Sequence, residues 1–266
     1  MIIVCIFALF PFVWMISTSF KPAQEVYSST PSFIPKNPTA NGYEEMLTTK
    51  STTFDFMQWT VNSVIVSLLT TLFSMVIATL GGYGISRFRF RGRNALSYII
   101  LTTQVLPGSL LIIPLYIIMG NMQLLDTRMG LVMAYATFSV PFCTWMMKGF
   151  FDSIPVSLEE AAKVDGCPEY RIFIQIVLPL IKPVLVSLVV FTFVTSWNDF
   201  LWPLVATSDS SMYTLTVALS LLKTQYQTNY GLILAGATIS FIFPFIMYIF
   251  LQKQFVEGVA LSGIKG

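Results

Sequence analysis

Few side chains in this sequence have the chemistry needed for catalysis or metal binding. The 266 residues include no histidine, which excludes imidazole base catalysis and histidine-ligated metal sites. The three cysteines, Cys5, Cys143 and Cys167, are far apart in the chain and are interpreted as small buried hydrophobic residues. The dipeptide Gly-Lys occurs nowhere, so the chain lacks a phosphate-binding loop for ATP. We therefore predict a non-enzymatic chain with no metal and no cofactor of its own.

The composition is typical of an integral membrane protein. Hydrophobic residues make up 55% of the chain and charged residues 11%, whereas an ordinary soluble domain has about 25% charged residues. Apolar stretches long enough for a helix to cross about 30 Å of hydrocarbon recur along the chain, without strand-like alternation. We predict one all-α transmembrane domain over residues 1–266, with six spans at about 1–20, 61–85, 96–119, 130–147, 183–205 and 231–251.

The basic residues predict how these spans are oriented. Arg87, Arg89, Arg91 and Arg93 fall within seven residues between the second and third spans. Ten of the fifteen Lys and Arg residues lie on the same predicted side as this cluster, and basic loops stay in the cytoplasm. We interpret the cluster as a topology signal rather than a nucleic-acid patch, and we predict that both termini are cytoplasmic.

A polar segment at residues 148–182, here called the island, interrupts the apolar stretches. Ser157 and Glu160 have the spacing of a helix-capping box, and Gly166 predicts the left-handed turn that ends a helix. Pro168 then suits the first turn of a second helix. The island is therefore predicted to be a short helix, a glycine turn and a second helix that leads back to the membrane.

Two interpretations of the island remain open from these signals. Its first helix is expected to expose Leu158, Ala161 and Ala162 and to carry Glu159 and Lys163 at its flanks. Small residues on a projecting helix would let the groove of a partner protein close around the backbone. The alternative is a connecting loop that packs only on its own chain.

The island also carries a spaced motif that is typical of one family of transporters. It resembles the EAA loop of ATP-binding-cassette importer permeases, with all seven fixed positions matched: Glu160, Ala161, Ala162, Gly166, Ile176, Leu178 and Pro179. In that family the short helix is the coupling helix, which inserts into a cleft on an ATPase subunit. The resemblance implies that partner ATPases bind the ATP and Mg, and that the coupling residues are Glu159, Glu160, Ala161, Ala162, Asp165, Gly166, Leu178 and Pro179.

Further segments narrow the resemblance to the MalG-like carbohydrate permeases of the maltose-transporter type. They are residues 19–25 (SFKPAQE), 86–92 (SRFRFRG), 113–116 (IPLY), 149–155 (GFFDSIP), 197–204 (WNDFLWPL) and 263–266 (GIKG). The resemblance implies the type I importer permease fold in a bacterial or archaeal cytoplasmic membrane. It also implies a MalF-like second permease, two ATPase subunits, an extracytoplasmic sugar-binding protein and surrounding lipid as partners. A permease for a non-sugar solute, such as a polyamine, is the alternative within the same class.

Polar residues in the apolar spans are candidates for the substrate pathway. Thr192, Thr195, Ser196 and Asp199 recur at helical spacing and form one polar stripe on the fifth span. Asp199 has two open interpretations, a pathway residue or a structural residue that braces Asn198 and the following loop. Asn198, Gln104 and Tyr116 are further candidates, and Gln104 lies beside Pro107 and Gly108, which are expected to break the third span.

The loop at residues 206–230 is predicted to face the outside of the cell. In the maltose-transporter relatives the corresponding loop inserts into the sugar-binding protein, so the resemblance implies a contact through Ser208, Asp209, Ser210, Ser211 and Tyr213. An intramembrane enzyme is the remaining alternative class. It would need a nucleophile with a base or metal ligands inside the spans, and Asp199 is the one charged residue that the predicted spans contain.

Overall fold

The computed structural model describes residues 2–28, 30, 32–223 and 229–263, and for residues 2 and 254–263 it describes the backbone alone. The helices of the first half are α1 (Ile2–Ser19), α2 (Ala23–Val26), α3 (Asn41–Thr48), α4 (Phe56–Arg87), α5 (Arg93–Thr103) and α6 (Ile112–Asn121). Those of the second half are α7 (Arg128–Ser153), α8 (Val156–Val164), α9 (Glu169–Arg171), α10 (Leu178–Leu180), α11 (Lys182–Asn198), α12 (Leu201–Ala206), α13 (Leu215–Leu221) and α14 (Tyr230–Gly263). An antiparallel hairpin, β1 (Lys50–Ser51) and β2 (Phe54–Asp55), precedes α4.

Several of these helices have the length and hydropathy of membrane spans. Among the described residues, α4, α7 and α14 each meet both requirements. Two bent pairs meet them together, one with 92° between Arg93–Thr103 and Gly108–Asn121 and one with 74° between Glu169–Leu180 and Lys182–Asn198. The helix α1 is apolar but shorter. The predicted all-helical membrane class is confirmed, whereas the count of six spans stays a prediction.

The predicted third and fifth spans are both interrupted. The helix α5 ends at Thr103, and Pro107 is extended (φ −61°, ψ 127°) before a 3-10 turn at Gly108–Leu111 leads into α6. Because proline lacks an amide hydrogen and disfavours helical geometry in the residue before it, the expected break falls here. The helix α11 ends at Asn198 and α12 begins at Leu201, so the predicted fifth span at about 183–205 is not one continuous helix.

The predicted loop at residues 206–230 is only partly irregular. It contains a 3-10 turn at Ser210–Met212 and the helix α13, while residues 224–228 lie outside the described residues. Leu215, Val217 and Ala218 of α13 are buried. This helix was not predicted, because a segment of only seven residues shows too little helical periodicity to be distinguished from a loop.

Packing divides the chain into two compact units, which are described separately. The first comprises Met1–Val64 and Asp199–Ile246, and the second comprises Ile65–Asn198 and Met247–Gly266. In the first unit, the buried apolar side chains come from α3, the start of α4, α12, α13 and α14, and they include Met46, Phe56, Trp59, Trp202, Leu215, Val217 and Ala235.

In the second unit, a buried cluster is shared by α4, α7, α8, α11 and the π-helical segment after α9. Its members include Met75, Ala78, Cys143, Met147, Phe151, Ala162, Ile172, Val177, Val184 and Leu188. The small residues Ala78 and Gly82 permit a close approach to α7, since a Cβ at Gly82 would lie 2.8 Å from the Met147 Cβ. Of the three cysteines predicted to be buried, Cys143 is buried and Cys167 partly buried, but Cys5 is exposed.

In the island, α8 is followed by a turn at Gly166 and by a second helical segment that begins at Glu169. Pro155 is the residue before α8, and Ser157 lies within its first turn without capping it, so the predicted capping box is wrong. Gly166 ends the helix at φ +79°, as predicted. After Pro168, the second helix passes through a π-helical turn at Ile172–Val177 before it reaches α10.

Candidate functional site

The side chain of Glu159 anchors the helix α8 to the end of α4. Its Oε1 accepts a hydrogen bond from Arg87 Nε at 2.5 Å, and its Oε2 accepts one from the Tyr83 hydroxyl at 2.8 Å. Arg87 also donates from Nη2 to the Ile154 carbonyl at 3.1 Å, just before α8 begins. The side chains of Arg87 and Glu159 are only 10% and 6% exposed. The expectation that Glu159 lies at the flank of an exposed face is therefore wrong, because its carboxylate points into the protein.

The anchor continues into a polar network at the end of α7. The hydroxyl of Ser86 donates to Asp152 Oδ1 at 2.6 Å, and Lys148 Nζ lies 2.6 Å from Asp152 Oδ2. Arg93 Nη2 lies 3.8 Å from the same carboxylate. Arg87 and Arg93 thus have partners on the island side of the second unit, beyond the topology role predicted for the arginine cluster.

Except for Ala162, the remaining side chains of α8 are exposed and are a mixture of apolar and polar residues, which include Ser157 and Lys163. Leu158, Glu160, Ala161, Val164 and the first helical residue, Val156, are all exposed, and Val164 is 88% exposed. The predicted exposure of Ala162 is wrong, because its side chain joins the buried cluster. The helix α8 is thus held on one side by the ion pair and is exposed on the other.

The other positions of the motif differ in their exposure. Asp165 and Gly166 are exposed at the turn, and Pro179 is exposed on α10. Ile176 and Leu178 are partly buried against the cluster of the second unit. These two positions hold the second island helix in place, whereas the turn is accessible to a partner.

The polar stripe predicted on the fifth span does not stay on one accessible face. Thr192 and Ser196 are buried, and the Ser196 hydroxyl donates to the Thr192 carbonyl at 2.8 Å. Thr195 and Asn198 are exposed, as are Gln104 at the end of α5 and Tyr116 on α6. These four side chains are therefore the accessible polar candidates of the second unit.

Asp199 has the contacts of a structural residue. Its Oδ2 accepts from the Trp202 amide at 3.3 Å at the start of α12, and its carbonyl accepts from the Thr216 hydroxyl at 2.7 Å. These bonds connect the chain break after α11 to α12 and α13. Of the two open interpretations, the geometry favours the bracing role.

The loop at residues 208–215 is held by the first turns of α4. Trp59 Nε1 donates to the Ser210 carbonyl at 3.0 Å, and Asn62 Nδ2 donates to the carbonyls of Ser211 at 2.7 Å and Tyr213 at 2.9 Å. The Leu215 amide donates to Ser63 Oγ at 2.8 Å. We call Trp59, Asn62 and Ser63 the loop clamp.

Asp209 shapes the tip of this loop. Its Oδ1 accepts from the Ser211 amide at 2.8 Å and caps the 3-10 turn. The hydrogen bonds from the Ser211 amide and hydroxyl hold the pKa of Asp209 below its ordinary value. Ser210 Oγ donates to the Thr52 carbonyl, and the Tyr213 hydroxyl donates to the Ser208 carbonyl. The five predicted contact residues therefore form one ordered turn.

Residues that were not predicted as site residues hold both the island and the loop at 208–215 in place. Tyr83 and Arg87 hold Glu159, and the loop clamp holds the turn at 208–215. A sequence signal existed for Asn62, because a carboxamide within an apolar span needs a hydrogen-bonding partner. Nothing in the spacing of Tyr83 and Arg87 indicates a partner some seventy residues further along the chain.

Comparison with known proteins agrees with this architecture. Residues 71–257 match the family of the binding-protein-dependent transport system inner membrane component. The chain is 34% identical over 259 residues to the galactooligosaccharides transport system permease protein GanQ of Bacillus subtilis, covering 97% of this chain and 90% of that protein. It is 31% identical over 261 residues to the arabinooligosaccharides transport system permease protein AraQ of Halalkalibacterium halodurans, covering 97% and 92%. A chain of a bacterial ABC transporter involved in alginate import superposes with a TM-score of 0.81 at 25% identity, covering 95% of this chain and 92% of that one.

The helical membrane fold and the island define a permease of the type I ABC importer class. The chain belongs to the family of inner membrane components of binding-protein-dependent transport systems. This membership confirms the prediction of a non-catalytic membrane subunit, because the family members are the permease components of their transporters.

Proposed function

We propose that this chain is the permease subunit of an ATP-driven importer for carbohydrate oligomers. The observation that carries the proposal is the similarity, over 97% of the chain, to permeases named for galactooligosaccharides and arabinooligosaccharides. A second related permease, two ATPases and an extracytoplasmic sugar-binding protein would complete the transporter. ATP and Mg would bind to the ATPases, while the island and both termini of this chain would lie in the cytoplasm.

The exposed face of α8 is the proposed docking surface for an ATPase subunit. Its support is the combination of exposed Leu158, Ala161 and Val164 with the exposed carboxylate of Glu160. Burial of these apolar side chains in a partner's cleft would lower the free energy by roughly 25 cal/mol per Å² of apolar surface removed from water. The turn at Asp165 and Gly166 lies at the end of the same face.

Transport would follow from a change in the relative stability of two membrane conformations. ATP binding closes the ATPase pair and brings the two coupling helices together, and the spans then open toward the sugar-binding protein. The ligands drive this cycle only if they bind the two conformations with different affinities. Thr195, Asn198, Gln104 and Tyr116 are the proposed pathway residues, and Asp199 is proposed to brace the adjoining loop.

The turn at 208–213 is the proposed contact with the binding protein. Deletion of residues 209–212 is expected to reduce binding-protein-stimulated uptake while membrane insertion and complex assembly stay intact. Uptake assays on cells with equal amounts of assembled complex measure this effect. Unchanged uptake would exclude the contact.

The substrate class is tested by reconstituting the complex with its binding protein in liposomes. A panel of arabino-, galacto- and chito-oligosaccharides, with a polyamine as the non-sugar comparison, is assayed for stimulation of ATP hydrolysis and for uptake. We expect at least one oligosaccharide to stimulate both. Stimulation by the polyamine alone would favour the alternative, an importer for a non-sugar solute.

A further inference from the structure

We propose that Glu159 is a positioning residue that transmits the movement of α8 to the membrane helix α4 through Arg87 and Tyr83. The proposal rests on the proposed coupling function of α8 and assigns its two adjacent glutamates to different tasks. Glu160 faces outward toward the ATPase, while Glu159 faces inward toward α4. Neighbouring residues on a helix point about 100° apart, so one turn of α8 can present both.

Three hydrogen bonds, two of them to Glu159, join α8 and the residue Ile154 before it to α4. Arg87 Nε and the Tyr83 hydroxyl each bind one carboxylate oxygen, so both oxygens have a donor from α4. Arg87 Nη2 binds the Ile154 carbonyl, which fixes the backbone at the entry to α8. A displacement of α8 cannot leave α4 in place without breaking bonds at both the side chain and the backbone.

Tyr83 on α4 is packed against aromatic side chains from two other segments. The Tyr83 ring packs against two aromatic rings, with centroid distances of 5.4 Å to Phe151 and 4.7 Å to Phe173. One ring comes from α7 and the other from the π-helical turn of the island. Tyr83 therefore has little freedom to follow Glu159 by rotating its side chain alone, and the helix has to move with it.

Burial gives this ion pair a different role from the other pair on the island. Lys163 and Glu169 lie 3.0 Å apart with side chains that are 52% and 68% exposed, so water and salt screen their attraction. The Arg87 and Glu159 pair is largely shielded from water. Its separation would leave two buried charges without partners, which strongly disfavours any state in which α8 moves alone.

The test is a double-mutant cycle in the reconstituted transporter. The variants are Glu159→Gln, Arg87→Gln and the double variant, with Tyr83→Phe as the mildest change and Glu169→Gln as the exposed control. Each is assayed for ATP hydrolysis, for uptake, and for disulfide crosslinking from a Glu160→Cys reporter to a cysteine in the ATPase cleft. The measured quantity is the uptake per ATP hydrolysed.

We expect Glu159→Gln and Arg87→Gln each to lower this ratio about tenfold, in line with the coupling effects of residues in contact networks. The double variant should lower it no further, because both single changes remove the same connection. The crosslink should persist, and Glu169→Gln should leave the ratio unchanged. Tyr83→Phe should lower the ratio by a smaller factor. If the charge variants fail to assemble, the ratio of Tyr83→Phe tests whether Glu159 couples α8 to α4.

Two results would overturn the proposal. One is an unchanged ratio in the variants that assemble, including Tyr83→Phe, with hydrolysis and uptake falling together. The other is a double variant whose defect equals the product of the two single defects, which would mean that Arg87 and Glu159 act separately. If the Glu160→Cys reporter forms no crosslink even when Glu159, Arg87 and Tyr83 are unchanged, the proposed docking of α8 on the ATPase is contradicted instead.

Discussion

The island and the loop at 208–215 are both held by the helix α4, but through different chemistry. The island is held by a buried ion pair between side chains, Arg87 and Glu159. The loop is held by neutral side-chain donors, Trp59 and Asn62, that bind backbone carbonyls. A contact to the backbone persists when the loop side chains change, whereas an ion pair requires both partners. The comparison indicates that substitutions of loop side chains leave the contacts from α4 to the loop backbone available, whereas an uncharged residue at position 159 removes the ion pair.

The largest loss of stability is expected when the ion pair that holds the island is broken. Arg87→Met keeps an apolar stem but leaves the Glu159 carboxylate buried without its charge partner, which costs about 3–5 kcal/mol. Thermal unfolding of the purified complex in detergent should show this loss as a lower midpoint. Lys163→Met, which removes a cation from an exposed pair, should cost less than about 1 kcal/mol. Equal effects of the two substitutions would contradict the difference in burial.

A smaller loss of stability is expected when the hydrogen bonds from Asn62 to the loop backbone are removed. Asn62→Leu removes the amide donor to two backbone carbonyls in the loop, which costs about 1–3 kcal/mol because these groups are partly buried. Hydrogen exchange within residues 208–215 should accelerate, while the global unfolding midpoint changes little.

The matched control for the loop is Gln58→Leu. The Gln58 side chain reaches the Ser211 carbonyl at 3.5 Å, a long and weak contact. We expect little acceleration of exchange in this variant. Equal acceleration in both variants would mean that Asn62 is not the principal clamp.

The smallest effect is a pH dependence at the tip of the loop. The pKa of Asp209 lies below its ordinary value of 3.8 because Ser211 donates hydrogen bonds to the ionised carboxylate. A depressed pKa stabilises the turn above the ordinary value, and the stabilisation is lost as the pH falls through the depressed one. Exchange at the Ser211 amide, corrected for its intrinsic pH dependence, should therefore lose protection in that acidic range. Asp209→Asn should abolish the pH dependence, and an unaltered profile in that variant would exclude Asp209 as its source.

The features that the sequence predicts well are those with local causes. The membrane class follows from composition and from the length of the apolar stretches, and the break before α6 follows from the missing amide of Pro107. The turn after α8 follows from the low cost of a positive φ at Gly166.

The features that could not be predicted depend on partners that are distant in the chain. Glu159 and Glu160 have the same chemistry, and only the positions of Tyr83 and Arg87 decide which of them is buried. The role of Asp199 likewise depends on Trp202 and Thr216, whose placement follows from the break between α11 and α12. Helical spacing placed Thr192 and Thr195 on one stripe, but neighbouring helices bury the first and leave the second exposed.

Crosslinking from α8 tests the central claim most directly. In a background without Cys5, Cys143 and Cys167, a Glu160→Cys variant is assembled with an ATPase that carries one cysteine in its cleft. We predict a disulfide whose yield changes when ATP binds, and no disulfide from the control variant Thr53→Cys on the hairpin before α4. An assembled complex in which Glu160→Cys forms no crosslink, with or without ATP, would contradict the claim that α8 couples this permease to an ATPase.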